Sequence, residues 1–473
     1  MIKEIPVPGV DPYALFLALG VKKGYILESI EGVPRRAVRS IIGLEPDIVV
    51  SFLEEPVIDG KSDLVSLFSS PEGDNPVARL RDLMGRIESP DSHITDFFGG
   101  FVGYCSYDMV TDLTAGLVEA GRADLPLARF MLGTRGIVYD HVKATCTLFD
   151  NAIILPGMDA VDEQEMARER QESLEKQIGD AVFVSDGMQD ISADHAFDWE
   201  SSLSREDYAE AVGKAQDYIR AGDIFQAVLS RKISGRFNGN PVSIYGAIRR
   251  INPSPYLYFL DFGDEAIIGS SPEMLVRVEG ETVQTVPIAG TRPRGRDAAE
   301  DDLLSENLLS DPKELAEHLM LVDLARNDIG KVSCFGSVQV TEFMEVERFS
   351  HVQHIVSRVC GTLRKDCDRF DAFISCFPAG TVSGAPKIRA MQVISELETQ
   401  PRGLYAGAVG YAAFGKSLEF AIAIRTLRVS AGRVEFSTGA GIVADSVPKN
   451  EYEETEFKAR AMMAAIHQAG ETS

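Results

Sequence analysis

Hydrophobic residues follow a helical period just after the middle of the chain. From Tyr208 to Ile219 they recur at intervals of three and four, the spacing of an amphipathic helix. Ser204 precedes this run and resembles the first residue of a capping box, while Gly222 follows it as a stop signal. The pattern predicts one helix between these two residues.

Other segments are short and rich in β-branched and aromatic residues, with Gly or Asp between them, which is typical of strands. They read DIFQAVLSRKI, YLYFLDF, EMLVRVEG, YAGAVGYAAF and LEFAIAIRTLRV. Helices separate groups of strands instead of alternating with single strands. This order favours the α+β class over a doubly wound parallel sheet.

The stretch from residue 158 to residue 202 is rich in charged residues and turn formers. It predicts a surface helix followed by a linker. We therefore expect a domain boundary near residue 200, with an N-terminal domain over 1–200 and a second domain over 201–473.

The composition excludes several classes of protein. The chain has 473 residues and a formal charge of −25, which would repel nucleic acid and anionic membranes. No apolar run is long enough to span a membrane, no signal peptide is recognisable, and the six cysteines form no metal or redox motif. We expect a cytoplasmic protein in which any anionic substrate needs a local cation or a metal.

Two predicted helices each carry a pair of acidic residues on one face. Asp311 and Pro312 form a helix start, so Glu314 and Glu317 share a face. The second helix begins at Pro448. A solvated helix face is the usual explanation of an isolated Glu-x-x-Glu pattern, and spacing alone does not overturn it.

In the second helix, Glu451, Glu454 and Lys458 follow Pro448 at spacings of three and four. If the two acidic helices converge, their carboxylates supply the hard oxygen ligands that Mg²⁺ prefers. A bound Mg²⁺ would let a strongly acidic protein hold an anion.

Two further features could bind a carboxylate. The small residues Ser437–Gly441 let backbone N–H groups approach an anion, although such segments are usually only turns. Arg425 lies inside the apolar run AIAIRTL, where a guanidinium needs an acidic partner or an anionic ligand. A structural salt bridge remains an alternative for Arg425.

Residues Gly410–Ser417 match the phosphate-loop pattern G-x-x-x-x-G-K-S. A true phosphate loop connects a strand to a helix, whereas both flanks here read as strands. We expect a hairpin turn at Gly415 and Lys416 and keep a P-loop NTPase only as a remote alternative.

Long blocks of this sequence resemble the chorismate-utilising enzymes, and most closely the large subunits of anthranilate synthase. The blocks include AGDIFQAVLSR, INPSPYLYFL, GSSPEMLVR, VPIAGTRPRGR, ELAEHLMLVDLARNDIGKV, FPAGTVSGAPKIRAM and STGAGIVADSVPKNEYEET, with YILESIEG and FFGGFVGYCSYD in the N-terminal half. The resemblance implies antiparallel sheets packed in a sandwich with helices outside. It also implies a Mg²⁺-dependent amination of chorismate that releases pyruvate and gives anthranilate, the first step of tryptophan biosynthesis.

The resemblance also implies the site residues. The metal ligands would be Glu317 and Glu454, supported by Glu314 and Glu451. Chorismate would be held by Gly290, Thr291, Tyr405, Arg425, Gly439, Ala440, Gly441 and Lys458. His354 would act in proton transfer beside Thr381, and Glu273 would protonate the departing hydroxyl. His351 is the competing histidine, and Lys449 and Phe457 depart from the residues that the family has at these positions.

Two positions separate the members of this family. At the position of Gln226, related isochorismate synthases have a lysine that can activate water. At the position of Ala289, aminodeoxychorismate synthases have a nucleophilic lysine. Because this chain lacks both lysines, ammonia is the expected nucleophile. The alternatives are aminodeoxychorismate synthase component I and an idle tryptophan sensor, which would lack Glu317, Glu454 or His354.

The chain has no recognisable glutaminase site. The resemblance therefore implies a glutamine amidotransferase subunit as partner, in a hetero-oligomer. It also implies a feedback site for tryptophan formed by two segments, whose residues are Glu28, Ser29, Pro255, Tyr256 and Leu257. Inhibition would be allosteric only if tryptophan and chorismate favour different conformations.

Overall fold

The computed structural model describes residues 2–7, 10–30, 39–88, 97–155, 157–182, 198–349 and 352–470. His351 lies outside these ranges. Within them, no helix has both the length and the apolar character that crossing a membrane requires. All six cysteines are free thiols.

The described part of the chain contains two antiparallel sheets. Their strands are β1 (Ile2–Pro6), β2 (Gly24–Glu28), β3 (Arg39–Leu44), β4 (Ile48–Phe52), β5 (Pro56–Gly60), β6 (Gly100–Cys105), β7 (Ala128–Gly133), β8 (Arg135–Asp140), β9 (Thr145–Asp150), β10 (Glu200–Ser201), β11 (Gln226–Arg236), β12 (Tyr256–Asp261), β13 (Glu265–Ser271), β14 (Met274–Glu279), β15 (Thr282–Thr285), β16 (Ile288–Pro293), β17 (Gln339–Arg348), β18 (Val352–Thr362), β19 (Gly384–Ala385), β20 (Ala408–Ala413), β21 (Leu418–Ile422), β22 (Thr426–Ser430) and β23 (Arg433–Ile442).

Helices cover the outer faces of the sheets. They are α1 (Pro12–Ala18), α2 (Ser62–Phe68), α3 (Pro76–Gly85), α4 (Val110–Leu113), α5 (Ala160–Val182), α6 (Arg205–Ala221), α7 (Pro241–Ile251), α8 (Ala298–Ser310), α9 (Pro312–Gly330), α10 (Arg369–Cys376), α11 (Gly380–Ser383), α12 (Lys387–Leu397) and α13 (Pro448–Gly470).

The first sheet has the strand order β1-β9-β8-β3-β2-β12-β13-β22-β23-β11-β10, with β19 also paired to β11. The second has the order β16-β18-β15-β14-β21-β20-β6-β7-β4-β5, with β17 also paired to β18. One buried cluster, including Tyr25, Tyr104, Tyr258 and Val409, fills the space between the sheets. The predicted α+β sandwich with helices outside is confirmed.

A buried carboxylate joins the two sheets. Glu265 of β13 accepts hydrogen bonds from the Tyr104 hydroxyl at 2.9 Å, from Arg129 Nη1 at 2.9 Å and from Arg428 Nε at 2.7 Å. Tyr104 and Arg129 belong to the second sheet. A buried charge is stable only when it is paired and hydrogen-bonded in this way, so these contacts fix how the sheets lie against each other.

The predicted helix starts are confirmed by their caps. The Ser204 hydroxyl accepts from the Asp207 N–H, and Gly222 ends α6 in the left-handed conformation. The Asp311 side chain accepts from the Lys313 N–H with Pro312 at the first turn of α9. Both caps satisfy backbone groups that have no partner inside the helix.

The phosphate-loop match is a hairpin, as predicted. Strands β20 and β21 pair antiparallel on either side of Gly415 and Lys416. Arg369 Nη1 donates to the carbonyls of Ala413 at 2.8 Å and Ser417 at 3.1 Å and so closes the turn. No helix follows this loop, which therefore lacks the strand-to-helix geometry of a nucleotide site.

The domain boundary near residue 200 stays a prediction. Residues 183–197 lie outside the described ranges, and strands from both sides of the boundary share both sheets: β2 pairs with β12, and β6 pairs with β20.

Candidate active site

The chain passes from one sheet to the other at two neighbouring crossings. Strand β13 of the first sheet leads into β14 of the second through Glu273, and β21 of the second leads into β22 of the first through Arg425. The Ile422 N–H donates to the Glu273 carbonyl at 3.0 Å, and the Ser270 N–H donates to the Arg425 carbonyl at 3.1 Å. These bonds hold the two crossings side by side.

Arg425 therefore does not lie within a strand, although its apolar neighbours predicted one. It has φ +49°, a left-handed conformation that costs a non-glycine residue free energy and tends to occur at functional sites. The sequence could not reveal this break, because β21 and β22 are both apolar and are separated by only three residues.

Glu273 is a buried carboxyl group. Its residue is 7% exposed, and desolvation by burial raises the pKa of Glu273 from 4.5 to about 8, while the neighbouring Thr381 hydroxyl partly opposes the shift. Thr381 Oγ1 has no hydrogen-bond partner of normal length among the described residues. Glu273 thus holds a proton at neutral pH, as a general acid must.

Thr381 was expected beside His354. In the structure Thr381 and Glu273 line one small cavity, and the contact of Thr381 with His354 stays a prediction.

His354 lies on β18, directly opposite Thr291 of β16. Its Nδ1 is 2.9 Å from the Gly290 carbonyl and 3.1 Å from Thr291 Oγ1. Because a carbonyl only accepts, Nδ1 carries the hydrogen in the neutral ring, which leaves the Nε2 lone pair available. Burial, and to a lesser degree the charge of Arg425, lower the pKa of His354, so its ring is an uncharged base.

Gly290 brings this histidine close to the first acidic helix. It has φ +67°, and a Cβ at this position would lie 3.0 Å from Leu308 Cδ1 and 3.1 Å from Glu314 Oε2. Only glycine adopts that backbone freely while packing so close to a carboxylate. Glu314 in turn accepts from Arg292 Nη1 at 3.0 Å.

Tyr405 and Lys458 both lie beside Gly439 of β23. Tyr405 is buried, which raises its pKa to about 12 and keeps the hydroxyl protonated. Lys458 Nζ donates to the Gly439 carbonyl at 2.9 Å and lies 2.7 Å from Glu454. Since carbonyl and N–H of one strand residue point to the same side, the amides of Gly439 and Gly441 face the edge of β23 near Lys458.

Ala440 is paired with Leu229 of β11. By the same alternation, the Ala440 amide faces β11 instead of the open edge. Three backbone amides were expected to bind an anion, and of these the amides of Gly439 and Gly441 are available to one.

We expect Gly439→Ala to raise the KM for chorismate, the substrate that the resemblance implies, at least about tenfold, equivalent to about 1.4 kcal/mol. The new Cβ would lie 2.5 Å from the Tyr405 hydroxyl and 2.8 Å from the Leu229 carbonyl, so the ring or the strand must move. Gly213→Ala is the matched control, because a Cβ there meets open space on α6. Steady-state kinetics on both variants measures the effect, and an unchanged KM for Gly439→Ala would contradict it.

Carboxylates of the two acidic helices α9 and α13 are close enough to influence one another. Burial and the neighbouring charges of Glu314 and Glu454 raise the pKa of Glu317. Burial also raises the pKa of Glu451, with Glu454 adding to the shift. Carboxylates that repel each other in this way suit a cation between them.

Among the described residues, no group of three or more His, Cys, Asp or Glu side chains is arranged to hold a metal ion. Glu317 and Glu454 provide two carboxylates from two helices. This donor set fits Mg²⁺, which keeps several waters and takes an oxygen from its substrate.

The Gln226 side chain lies beside Glu317 and Gly441, although the sequence pointed to this position only because it lacks a lysine. Its Nε2 lies 3.5 Å from Glu317 Oε1, and a Cβ on Gly441 would lie 2.5 Å from that nitrogen. Its Oε1 is buried with no partner among the described residues. Lys313, whose charge lowers the pKa of both Glu317 and Glu451, was not singled out from the sequence.

A cavity of about 520 Å³ lies between the two sheets, and we call it the inter-sheet cavity. All five residues named for the tryptophan site line it: Glu28, Ser29, Pro255, Tyr256 and Leu257. The volume is in the range of small-molecule sites. The structure therefore joins two segments that are more than 200 residues apart in the sequence.

Glu28 contributes to this wall without offering a free carboxylate. It accepts from the Tyr245 hydroxyl at 2.6 Å and from Arg249 Nε at 2.9 Å, and burial raises its pKa. Its backbone pairs with Leu257 across β2 and β12. The side chain thus holds the cavity wall in place.

Comparison with known proteins identifies the family. The model of the chorismate binding enzyme family matches residues 51–464. Anthranilate synthase component 1 of Acetivibrio thermocellus is 45% identical over 453 residues, covering 94% of this chain and 90% of the relative.

Two solved structures share the fold. Anthranilate synthase component I of Streptococcus pneumoniae has 37% identity and a TM-score of 0.73, covering 90% of this chain and 92% of that one. A menaquinone-specific isochorismate synthase of Escherichia coli has 20% identity and a TM-score of 0.70, covering 98% and 94%, and supports the fold alone.

The chain belongs to the chorismate-binding enzymes. Within them it belongs to the family of anthranilate synthase component 1.

Proposed function

We propose that this enzyme adds ammonia to chorismate and eliminates pyruvate to give anthranilate, with Mg²⁺ as cofactor. The observation that carries the proposal is the opposite shift of two groups of the candidate site: burial raises the pKa of Glu273 and lowers that of His354. A protonated carboxyl and an uncharged imidazole are the acid and the base that this reaction needs at neutral pH.

The chain's own groups move the protons. Glu273 donates its proton to the departing hydroxyl while ammonia adds to the ring. His354 then removes a ring proton through Nε2 as the carbon–oxygen bond to the enolpyruvyl group breaks and the ring becomes aromatic. The imidazolium returns this proton to the leaving group, which departs as pyruvate. Thr291 and the Gly290 carbonyl support this role, because their contacts with Nδ1 orient the imidazole.

Substrate binding follows the charges around these groups. Arg425, the Tyr405 hydroxyl, Thr291 and the amides of Gly439 and Gly441 would hold the carboxylates of chorismate. Glu317 and Glu454 would hold Mg²⁺, supported by Glu314 and Glu451. When bound, Mg²⁺ supplies positive charge that neutralises a substrate carboxylate.

The choice of ammonia rests on two side chains that cannot form a nucleophile. Gln226 has no basic nitrogen with which to activate water, and Ala289, beside Ile355 on β18, has no amine. A nucleophile that arrives already deprotonated fits this site. We propose that a separate glutaminase subunit supplies it in a hetero-oligomer, since the recognised blocks leave no room for a glutaminase site.

We further propose that tryptophan binds in the inter-sheet cavity and inhibits the reaction. The support is that both segments named for this role line one cavity of about 520 Å³. An indole amino acid would place its ring among residues such as Tyr256, Leu257 and Met274, which also line it.

The direct test is anthranilate fluorescence from the purified chain with chorismate, Mg²⁺ and ammonium at about pH 8, where part of the ammonium is free ammonia and Glu273 is still partly protonated. We expect a signal that rises without any partner protein and disappears on addition of EDTA. A return of the signal with excess Mg²⁺ is the control for chelation. Chorismate consumed without anthranilate would assign a sibling reaction, and no consumption at all would refute the proposed activity.

A further inference from the structure

The inter-sheet cavity and the candidate active site share a wall. Met274, which lines the cavity, directly follows Glu273 in the chain, and Val356, also in the lining, lies two residues beyond His354 on β18. A third lining residue, Phe349, touches His354 itself. Glu347 also lines the cavity and is paired with His354 across β17 and β18.

Phe349 packs against the imidazole through its ring. The ring centroids of Phe349 and His354 are 5.4 Å apart with an interplanar angle of 65°, a favourable edge-to-face arrangement. Phe349 is 8% exposed and lines the inter-sheet cavity. One side chain thus separates the space of a cavity ligand from the catalytic base.

The backbone of Phe349 is held on both sides. Its N–H donates to the Val352 carbonyl at 2.8 Å, and its carbonyl accepts from Arg294 Nη1. Arg294 is in turn paired with Asp301 at 2.6 Å. With the main chain fixed, a ligand that displaces this side chain must do so by rotating or pushing the ring.

Groups from three other elements also lie near His354. Gly290 and Thr291 lie on β16, Glu347 is paired with His354 on β17, and Arg425 lies on the crossing between the sheets. The Phe349 ring is an apolar contact of the imidazole. It has no charge or hydrogen bond to contribute, so its effect on the imidazole is one of position and exclusion of water.

We propose that Phe349 is a positioning residue that holds the His354 imidazole and transmits occupancy of the inter-sheet cavity to it. The inference rests on the proposed function and deepens it, because it assigns the contact through which a cavity ligand acts on the reaction. A ligand can shift activity only through interactions that differ between two states. Movement of the Phe349 ring against His354 is that difference.

The test compares Phe349→Leu with Phe97→Leu. Phe97 also lines the inter-sheet cavity and is 4% exposed, and its ring contacts are with Phe149 and Tyr411. In the ammonium-dependent assay we expect Phe349→Leu to lower kcat about tenfold with little change in the KM for chorismate. Phe349→Tyr should restore most of kcat because it keeps the ring, and Phe97→Leu should leave kcat unchanged.

A second measurement does not depend on turnover. NMR of ¹³C-labelled histidine side chains, with the His354 signal assigned from His354→Asn, reports on the imidazole directly. Saturating L-tryptophan should shift the His354 signal in the native chain and in Phe97→Leu but not in Phe349→Leu. In Phe349→Leu, the His354 titration should also move to higher pH, because water reaches the ring.

The outcomes separate the two proposals. Unchanged kcat and an unchanged His354 signal in Phe349→Leu would overturn the positioning role. A tryptophan-induced shift that persists in Phe349→Leu, or that is missing from the native chain, would overturn the transmission. A native chain that makes no anthranilate would overturn the proposed function, while the NMR comparison would still show whether Phe349 holds His354.

Discussion

Glu273→Gln is expected to lower anthranilate formation at least about a thousandfold, near the upper part of the range for loss of a general acid. The amide keeps the shape of the carboxyl but cannot donate its proton to the departing hydroxyl. In the unaltered protein, kcat/KM should fall as the pH rises through about 8, because Glu273 of the free enzyme then loses its proton. Rates over a pH series at constant free ammonia would measure this.

Folding provides the control for Glu273→Gln. The pKa of Glu273 is raised from 4.5 to about 8 in the folded chain, so its stabilising contribution is complete below about pH 4.5 and is lost as the pH rises through 8. The amide cannot ionise, and the Tm of Glu273→Gln at pH 9 should equal or exceed that of the unaltered chain. An active Glu273→Gln enzyme with normal pH dependence would assign the acid elsewhere.

The double variant Glu317→Gln with Glu454→Gln should lose its response to Mg²⁺ and most of its activity, again by about a thousandfold. Loss of both carboxylates removes the negative charge that would hold the cation, and the substrate carboxylate then lacks its counter-ion. Titration with Mg²⁺ by calorimetry in the presence of chorismate measures binding apart from turnover.

Glu453→Gln is the matched control for the metal pair. Glu453 lies next to Glu454 on α13, and both residues are exposed. The Glu453 side chain is 2.9 Å from Arg205, whereas that of Glu454 is 2.7 Å from Lys458. This substitution removes one negative charge from the same turn without touching the site, so the Mg²⁺ titration should stay within about twofold of the original. Equal losses in the control and in the double variant would mean that the general field of the acidic helix, and not a pair of ligands, binds the metal.

Sequence was sufficient where the structure depends on local interactions. The caps at Ser204 and Asp311 predicted where α6 and α9 begin, because their side chains accept from backbone N–H groups of the first turn. Pro448 predicted the start of α13, because a proline lacks the N–H that would have no partner there. The hairpin turn at Gly415 was also predicted from its immediate neighbours, since both flanks read as strands. Each of these features is decided by residues within four positions of each other.

Assignment of strands to sheets could not be predicted in this way. The run LEFAIAIRTLRV forms β21 and β22, which belong to different sheets, and their apolar character is the same. What separates them is the left-handed turn at Arg425 and the hydrogen bonds to the neighbouring crossing at Ser270 and Glu273. These are contacts between distant parts of the chain.

The candidate site likewise combines features set by local spacing with features set by contacts between distant residues. Helical spacing predicted the pairs Glu314 with Glu317 and Glu451 with Glu454, and the convergence of their helices was stated only as a condition. Family resemblance supplied Glu273 and His354, but their opposite pKa shifts arise from burial that no local pattern reveals. Phe349 carried no signal at all, because its significance lies in what stands on either side of its ring.

The interleaving of distant strands sets a limit on how the chain can fold. Strand β2 is completed by β12, and β6 by β20, so the N-terminal strands wait for partners more than 200 residues further along. Closing such long loops makes folding slow, because entropy is lost before the contacts form. During synthesis, the edges of β2 and β6 therefore remain open until much of the chain has left the ribosome, which makes this the period when a chaperone matters most.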